Sequence, residues 1–369
     1  MNKSTFTGEN WIEFEGKRYR PEEFITLNQQ EPHKTIASTV NFLKDWYSDQ
    51  VFILQKTSGS TGKPKIIRLD KQQIKASALA TLETLNLKAG QNALLCINPD
   101  YIGGKMMIAR ALLGNLNLSI APATGNPLQN YHMSEPIDFF SFVPYQIEKI
   151  IDESSSLINF LDDSTAIILG GAPVSGGLRA KIKTKFKKTK VYSTYGMTET
   201  VSHVALELIN STQKEAFKAL KNIKFSVDTR NCLIVHAPEI SGQDTLVTND
   251  VVELLSPTEF YWLGRYDFVI NSGGIKIHPE ILEKEISILL EKENLVNRFF
   301  VFALPDKKLG ESVNMIIEGE CDRTKIYTLL KENLPDFQAP KKIYGLEEFI
   351  ETENGKLNRK SSIQTVINA

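Results

Sequence analysis

The chain has 369 residues, of which 41% are hydrophobic and 24% charged, and its 43 basic and 44 acidic side chains leave a formal net charge of −1. Such a length predicts two or three domains with substantial cores. The charge balance gives no electrostatic reason to expect nucleic acid or an anionic membrane as a partner. Cys96, Cys232 and Cys321 stand far apart without a CxxC pair, which argues against a disulfide framework and a zinc cluster.

The first ten residues lack the apolar core of a secretory signal. No apolar run approaches the roughly 20 residues that would span a bilayer, so no membrane insertion is expected and the cytoplasm is the default address. Through the first two hundred residues, short aliphatic runs alternate with amphipathic stretches. Residues 51–55, 93–97, 117–121, 137–143, 165–169 and 190–194 read as strands. Residues 70–87 read as a helix capped by Asp70, and 104–116 and 177–186 as two more. The lysines at 181, 183, 185, 187 and 188 read as a solvated face.

That alternation predicts an α/β architecture with largely parallel sheets covered by helices. From about residue 223 to 263 the pattern changes to short strands and turns. Beyond it, about one hundred residues carry their own core, with helices at 279–290 and 322–334 and strands at 298–304 and 313–318. A domain boundary is expected near Asp267, giving a unit of residues 1–266 and a unit of residues 267–369.

The segment from Thr57 to Lys65 is the richest in chemistry. Gly59 and Gly62 let backbone amides approach an oxyanion, the hydroxyls of Thr57, Ser58, Ser60 and Thr61 can bond phosphate oxygens, and Lys65 supplies charge. A Walker loop does not fit. It needs Gly where Thr57 stands and Ser or Thr where Pro64 stands. Strands are expected on both sides, so the segment should be a hairpin tip.

Gly170, Gly171, Ala172 and Pro173 follow a predicted strand, where a glycine turn lets a flat base lie against the backbone or simply joins strand to helix. Tyr195, Gly196, Met197, Thr198 and Glu199 end another strand. Asp250 lies between short strands, placed to accept from two ribose hydroxyls or to make an Asx turn. Neither a GxSxG elbow nor a credible Cys–His pair is present.

These segments, in this order, resemble the adenylate-forming superfamily of acyl-CoA synthetases, peptide-synthetase adenylation domains and luciferases. The resemblance implies a large N-terminal unit of mixed and parallel sheets with a small β-barrel-like subdomain, followed by a small, mobile α+β unit. It implies ATP, Mg²⁺ and coenzyme A as co-reactants of a small carboxylic acid. Thr198 then matches the hydroxyl near the α-phosphate, Glu199 the Mg²⁺ ligand, Tyr195 the aromatic that stacks on adenine and Arg265 the arginine on ribose and phosphate. Gly170–Pro173 borders adenine and the acyl pocket. Asp267 aligns with the hinge, Gly273 and Gly274 with the turn beside the pantetheine arm, and Lys356 with the adenylation lysine. Because Lys356 would obstruct the second step, the resemblance implies a rotation of the residues after Asp267 between half-reactions.

The compact length and the run from Tyr195 to His203 resemble most the o-succinylbenzoate–CoA ligases of menaquinone biosynthesis. Their acid carries a second carboxylate, for which Lys105, Arg110 and His203 are candidate partners; Lys105 and Arg110 could equally be the polar face of their helix. Relatives commonly place histidine before the Ile-Gly-Gly of this region, where this chain has Tyr101. The same motifs also serve other acyl-CoA ligases and adenylation enzymes that load a carrier protein, so the acceptor and the acid stay open at this stage.

Overall fold

A computed structural model of the chain describes residues 10–27, 34–56, 66–129, 131, 135–295, 297–351 and 357–368. The expected alternation folds into one long sheet. Strands Ile12–Phe14, Asn117–Ile120, Asn92–Leu95, Phe139–Phe142, Ala166–Leu169 and Lys190–Gly196 lie side by side in that order, all parallel. Residues 92–95, 139–142 and 166–169 are buried at every position, as parallel strands covered on both faces must be.

Strand Asn92–Leu95 has Asn117–Ile120 on one side and Phe139–Phe142 on the other. The chain therefore reverses direction across the sheet there, opening a crevice at the carboxyl ends of the strands. Antiparallel strands from His203–Leu208 to Glu259–Arg265 continue the ladder beyond Lys190–Gly196. The short strands expected from about residue 223 to 263 belong to this run and so extend the long sheet.

Helix Lys71–Thr84 begins where its cap predicts: the Asp70 carboxylate accepts the Gln72 N–H, and Gln73 returns a bond to the Asp70 N–H. Helix Ile102–Gly114 is buried along most of its length and packs on Lys71–Thr84. Strands Phe52–Lys56 and Ile66–Asp70 form a separate antiparallel hairpin. Its tip, residues 57–65, lies outside the described residues.

From Ile270 onward the chain builds a second sheet of five strands. Its core joins Ile270, Leu282, Ile286, Val301, Met315 and Ile326. Helix Pro279–Lys292 lies against both helix Gly176–Lys185 and strand Glu259–Arg265 of the larger unit. Among the described residues no helix is long and apolar enough to cross a membrane.

Candidate active site

Two neighbouring parallel strands carry the first group. Ala166–Leu169 ends in Gly170, whose N–H donates to the Phe142 carbonyl at 3.1 Å. A Cβ on Gly170 would stand 2.9 Å from Thr194 Oγ1, and Gly171 has φ +86°. Both positions therefore favour glycine, one by close approach and one by backbone conformation. The turn of Gly170, Gly171, Ala172 and Pro173 consequently lies beside the strand end that carries Tyr195.

Asp250 sits opposite Arg265 in the antiparallel ladder. Tyr195 donates its hydroxyl to Asp250 Oδ2 at 2.7 Å, and Trp262 donates Nε1–H to Oδ1 at 3.2 Å. Burial, then the Asp250 charge, push the Tyr195 hydroxyl well above its ordinary range, so it remains a donor. The Tyr195 ring packs edge-on to Phe260 with centroids 5.2 Å apart. Arg265 donates to Asp267 at 2.8 Å, and Asn249 Nδ2 lies 3.4 Å from the same carboxylate. Tyr195, Asp250, Arg265 and Asp267 thus form one connected cluster.

Thr198 and Glu199 occupy a single 3-10 turn between Gly196 and His203, which are register partners. A Cβ on Gly196 would meet the Ser202 carbonyl at 2.3 Å, so only glycine lets the two ends of the loop close. Glu199 is exposed, and among the described residues no cation pairs with it. Nor do those residues hold a cluster of three or more His, Cys, Asp or Glu side chains suited to a metal. One free carboxylate beside a hydroxyl fits Mg²⁺, an ion held by one or two carboxylates with substrate phosphates completing its shell.

The four residues expected near the acid divide into three settings. Tyr101 is 48% exposed at the start of helix Ile102–Gly114. Lys105 donates to the Leu54 carbonyl and to Gln55 Oε1, both at 2.9 Å, so it braces the foot of the hairpin; burial lowers its pKa. Arg110 and His203 are buried together, with the hydroxyl of Ser202 between them. Arg110 Nη2 donates to Ser202 Oγ at 3.0 Å, and His203 Nδ1 lies 3.5 Å from the same oxygen. Arg110 is 1% exposed, its Nε has no partner, and no carboxylate pairs with it among the described residues.

Gly273 and Gly274, with φ +60° and +83°, form the two-residue tip of the hairpin joining Ile270–Ser272 to Ile275–Ile277. Positive φ at both central residues is the hairpin geometry that glycine supplies without steric cost. Thr57, Ser58, Gly59, Ser60, Thr61, Gly62, Lys65 and Lys356 lie outside the described residues. Beside Lys356, Leu357 pairs with Glu351, and Arg359 makes a two-pronged pair with Glu283 at 2.8 and 2.7 Å.

Sequence reading missed Trp262, Ser202, Thr81 and Glu280. Trp262 could have been found from strand alternation near Arg265. The other three reach the site through tertiary contacts that leave no local pattern.

A long mixed sheet carrying a smaller α+β unit is the architecture of adenylate-forming enzymes. The chain belongs to the AMP-binding enzyme family, whose model matches residues 15–234. It is 33% identical to an acyl-CoA synthetase (AMP-forming)/AMP-acid ligase II-like protein from Dyadobacter fermentans, with a TM-score of 0.63 over 94% of this chain and 99% of that one. It resembles a 2-succinylbenzoate–CoA ligase of Lactococcus lactis, 24% identical over 87% of this chain and 72% of the relative. An o-succinylbenzoate CoA synthetase from Bacillus subtilis, solved with its acyl-adenylate intermediate, shares the fold at a TM-score of 0.70, with 19% identity over 87% of this chain and 73% of that one.

Proposed function

We propose that the protein is an AMP-forming acid–CoA ligase whose acid is o-succinylbenzoate. The observation that carries the ligase reading is the Asp250 cluster beside the Thr198–Glu199 loop. Asp250, held by Tyr195 and Trp262, would accept from the ribose hydroxyls. Arg265 would reach ribose and phosphate, and the Gly170–Pro173 turn would border the base. The loop of Thr57, Ser58, Gly59, Ser60, Thr61, Gly62 and Lys65 would hold the phosphates.

In the first half-reaction a carboxylate oxygen attacks the α-phosphorus of ATP, and pyrophosphate leaves. Two anions must meet, so the protein's task is charge compensation and alignment. Lys356 and Thr198 would face the charge developing at the α-phosphate. Mg²⁺ held by Glu199 would neutralise phosphate charge. In the second half-reaction the CoA thiol, losing its proton, attacks the acyl carbonyl and AMP leaves. Gly273 and Gly274 would leave room for the pantetheine arm, after the unit beyond Asp267 has swung.

The narrower assignment of the acid is supported by the likeness to the Lactococcus lactis and Bacillus subtilis ligases and by Arg110. A buried cation without a protein carboxylate suits a substrate that brings a second one. Tyr101, Lys105 and His203 complete the candidate contacts on this side.

An acid panel assayed for pyrophosphate exchange and for CoA-dependent AMP release tests both levels. The proposal expects o-succinylbenzoate to support both, faster than benzoate or simple fatty acids. Exchange without CoA-dependent release would transfer the acceptor role to a carrier protein. Exchange with no acid of the panel would overturn the ligase reading itself.

A further inference from the structure

Val201 is buried, with 2% of its surface exposed, and has φ +60° and ψ −52°. The six other non-glycine residues with positive φ among those described are five asparagines and Glu15. Asparagine tolerates this half of the map, whereas a β-branched residue placed there is a steric outlier. The Ser202 N–H donates to the Thr200 carbonyl at 2.5 Å, so Val201 is the centre of a positive-φ γ-turn, a rare and strained conformation.

Neighbouring groups hold this turn in place. Thr200 is fully buried, and its hydroxyl donates to the Ser202 carbonyl at 2.7 Å while accepting the Met197 N–H at 3.0 Å. That single oxygen therefore clasps both ends of the loop. Ser202 is fastened in turn by Arg110, and the Val201 side chain packs into the main core. The loop leaves the sheet at Gly196, rejoins it at His203, and carries exposed Glu199 at its apex.

We propose that the strained turn at Val201, locked by the Thr200 hydroxyl, is the positioning element that aims Glu199 at the metal–nucleotide site. Strain persists where the surroundings over-determine it, and such sites recur where geometry must be fixed before a ligand arrives. An unstrained turn would let the carboxylate range over several directions. The metal–phosphate complex would then have to order the loop as it bound. This proposal rests on the ligase reading above.

The test compares Val201→Gly with Val201→Ala. Both lose core methyl groups, but only glycine is at ease at positive φ and gives the loop freedom. Titration calorimetry with Mg·ATP, without acid, should show Val201→Gly binding about tenfold more weakly than Val201→Ala, in keeping with the cost of lost alignment. Val201→Gly should also melt no lower than Val201→Ala, the reverse of the usual order. Equal affinity in the two variants, or the ordinary melting order, overturns the proposal. If Val201→Gly does not fold, Thr200→Val removes the clasp and should weaken Mg·ATP by a similar factor; wild-type affinity there overturns it. Failure of the ligase reading looks different: the wild-type protein then binds no Mg·ATP and exchanges no pyrophosphate with any acid.

Discussion

Arg110 donates to the hydroxyl of Ser202 at 3.0 Å from a position of almost complete burial. The bond ties helix Ile102–Gly114 to the loop that carries Glu199. Burial pulls the guanidinium down to about 9, so it still carries charge at neutral pH. Breaking a buried charge pair costs about 3–5 kcal/mol because the other charge is left unpaired, but Arg110 has no carboxylate partner among the described residues, so its removal strands no opposite charge. Arg110→Met should therefore melt no lower than the wild-type protein. It should lose roughly 10²-fold or more in kcat/KM with o-succinylbenzoate, and distinctly less with a monocarboxylic acid. Equal losses on both acids would remove Arg110 from acid recognition and leave it as an anchor for Ser202.

His203 lies at the centre of a directional chain. Arg110 can only donate and the Ser77 carbonyl can only accept, and between them run Ser202, His203 and Thr81. Ser202 then donates to Nδ1, Nε2–H donates to Thr81 at 3.1 Å, and Thr81 donates to Ser77 at 3.0 Å. The ring is thus the neutral Nε2–H tautomer. Burial first, and the Arg110 charge second, hold its pKa well below the ordinary 6.5. A base with a depressed folded pKa gives stability that is complete above the unfolded value and is lost as pH falls below it. The melting temperature should accordingly fall from about pH 7 toward pH 5, at up to about 1.4 kcal/mol per pH unit for this proton. His203→Gln, which can still donate to Thr81, should flatten that slope; His278, also depressed by burial, stays common to both proteins. An unchanged slope would show that His203 has the same pKa in the folded and unfolded chains.

Lys356→Ala should separate the two half-reactions. Loss of one charge contact at a developing oxyanion typically costs about 10²–10³ in rate. Acid-dependent pyrophosphate exchange should fall by that order. Transfer from a supplied acyl-adenylate to CoA should stay within a few-fold of wild type. Equal loss in both assays would place the lysine in general architecture instead of adenylation.

The sequence was legible where local chemistry decides structure. Asp70 announced its helix through a side-chain cap, and the unbroken aliphatic runs announced parallel strands buried on both faces. Helix Lys34–Tyr47 was missed even though Ile36, Val40 and Leu43 mark its buried face; the pattern was present but flanked by no capping signal. The Gly170–Pro173 turn was singled out as a glycine turn at a strand end, and Tyr195–Glu199 through the family resemblance of all five residues. Val201 could not be found in this way. Its strain is held by the neighbouring Thr200 hydroxyl and by Arg110 reaching Ser202 across the fold, and valine is the residue that local preference would place there last. Ser202 was hidden for the same reason, since its partner Arg110 stands 92 residues away.

Glu280 bridges the two units. Its Oε1 accepts the Arg265 N–H at 3.3 Å, while Oε2 has no partner among the described residues and would lie 2.2 Å from a Cβ on Gly264. Gly264 has φ +145°, so both its conformation and its neighbour favour glycine. Burial pushes the Glu280 carboxyl up from its usual range. The contact joins helix Pro279–Lys292 to the strand just before Asp267. If the smaller unit swings about Asp267, this contact belongs to one orientation and must break in the other. Glu280→Ala should then change the two half-reaction rates unequally, moving their ratio by about fivefold or more, the scale of losing one ordinary hydrogen bond of about 1 kcal/mol. Gly264→Ala should act in the same direction, because its methyl group displaces the carboxylate. A ratio unchanged in both variants would mean that the contact is kept throughout turnover, and that the pivot lies elsewhere than Asp267.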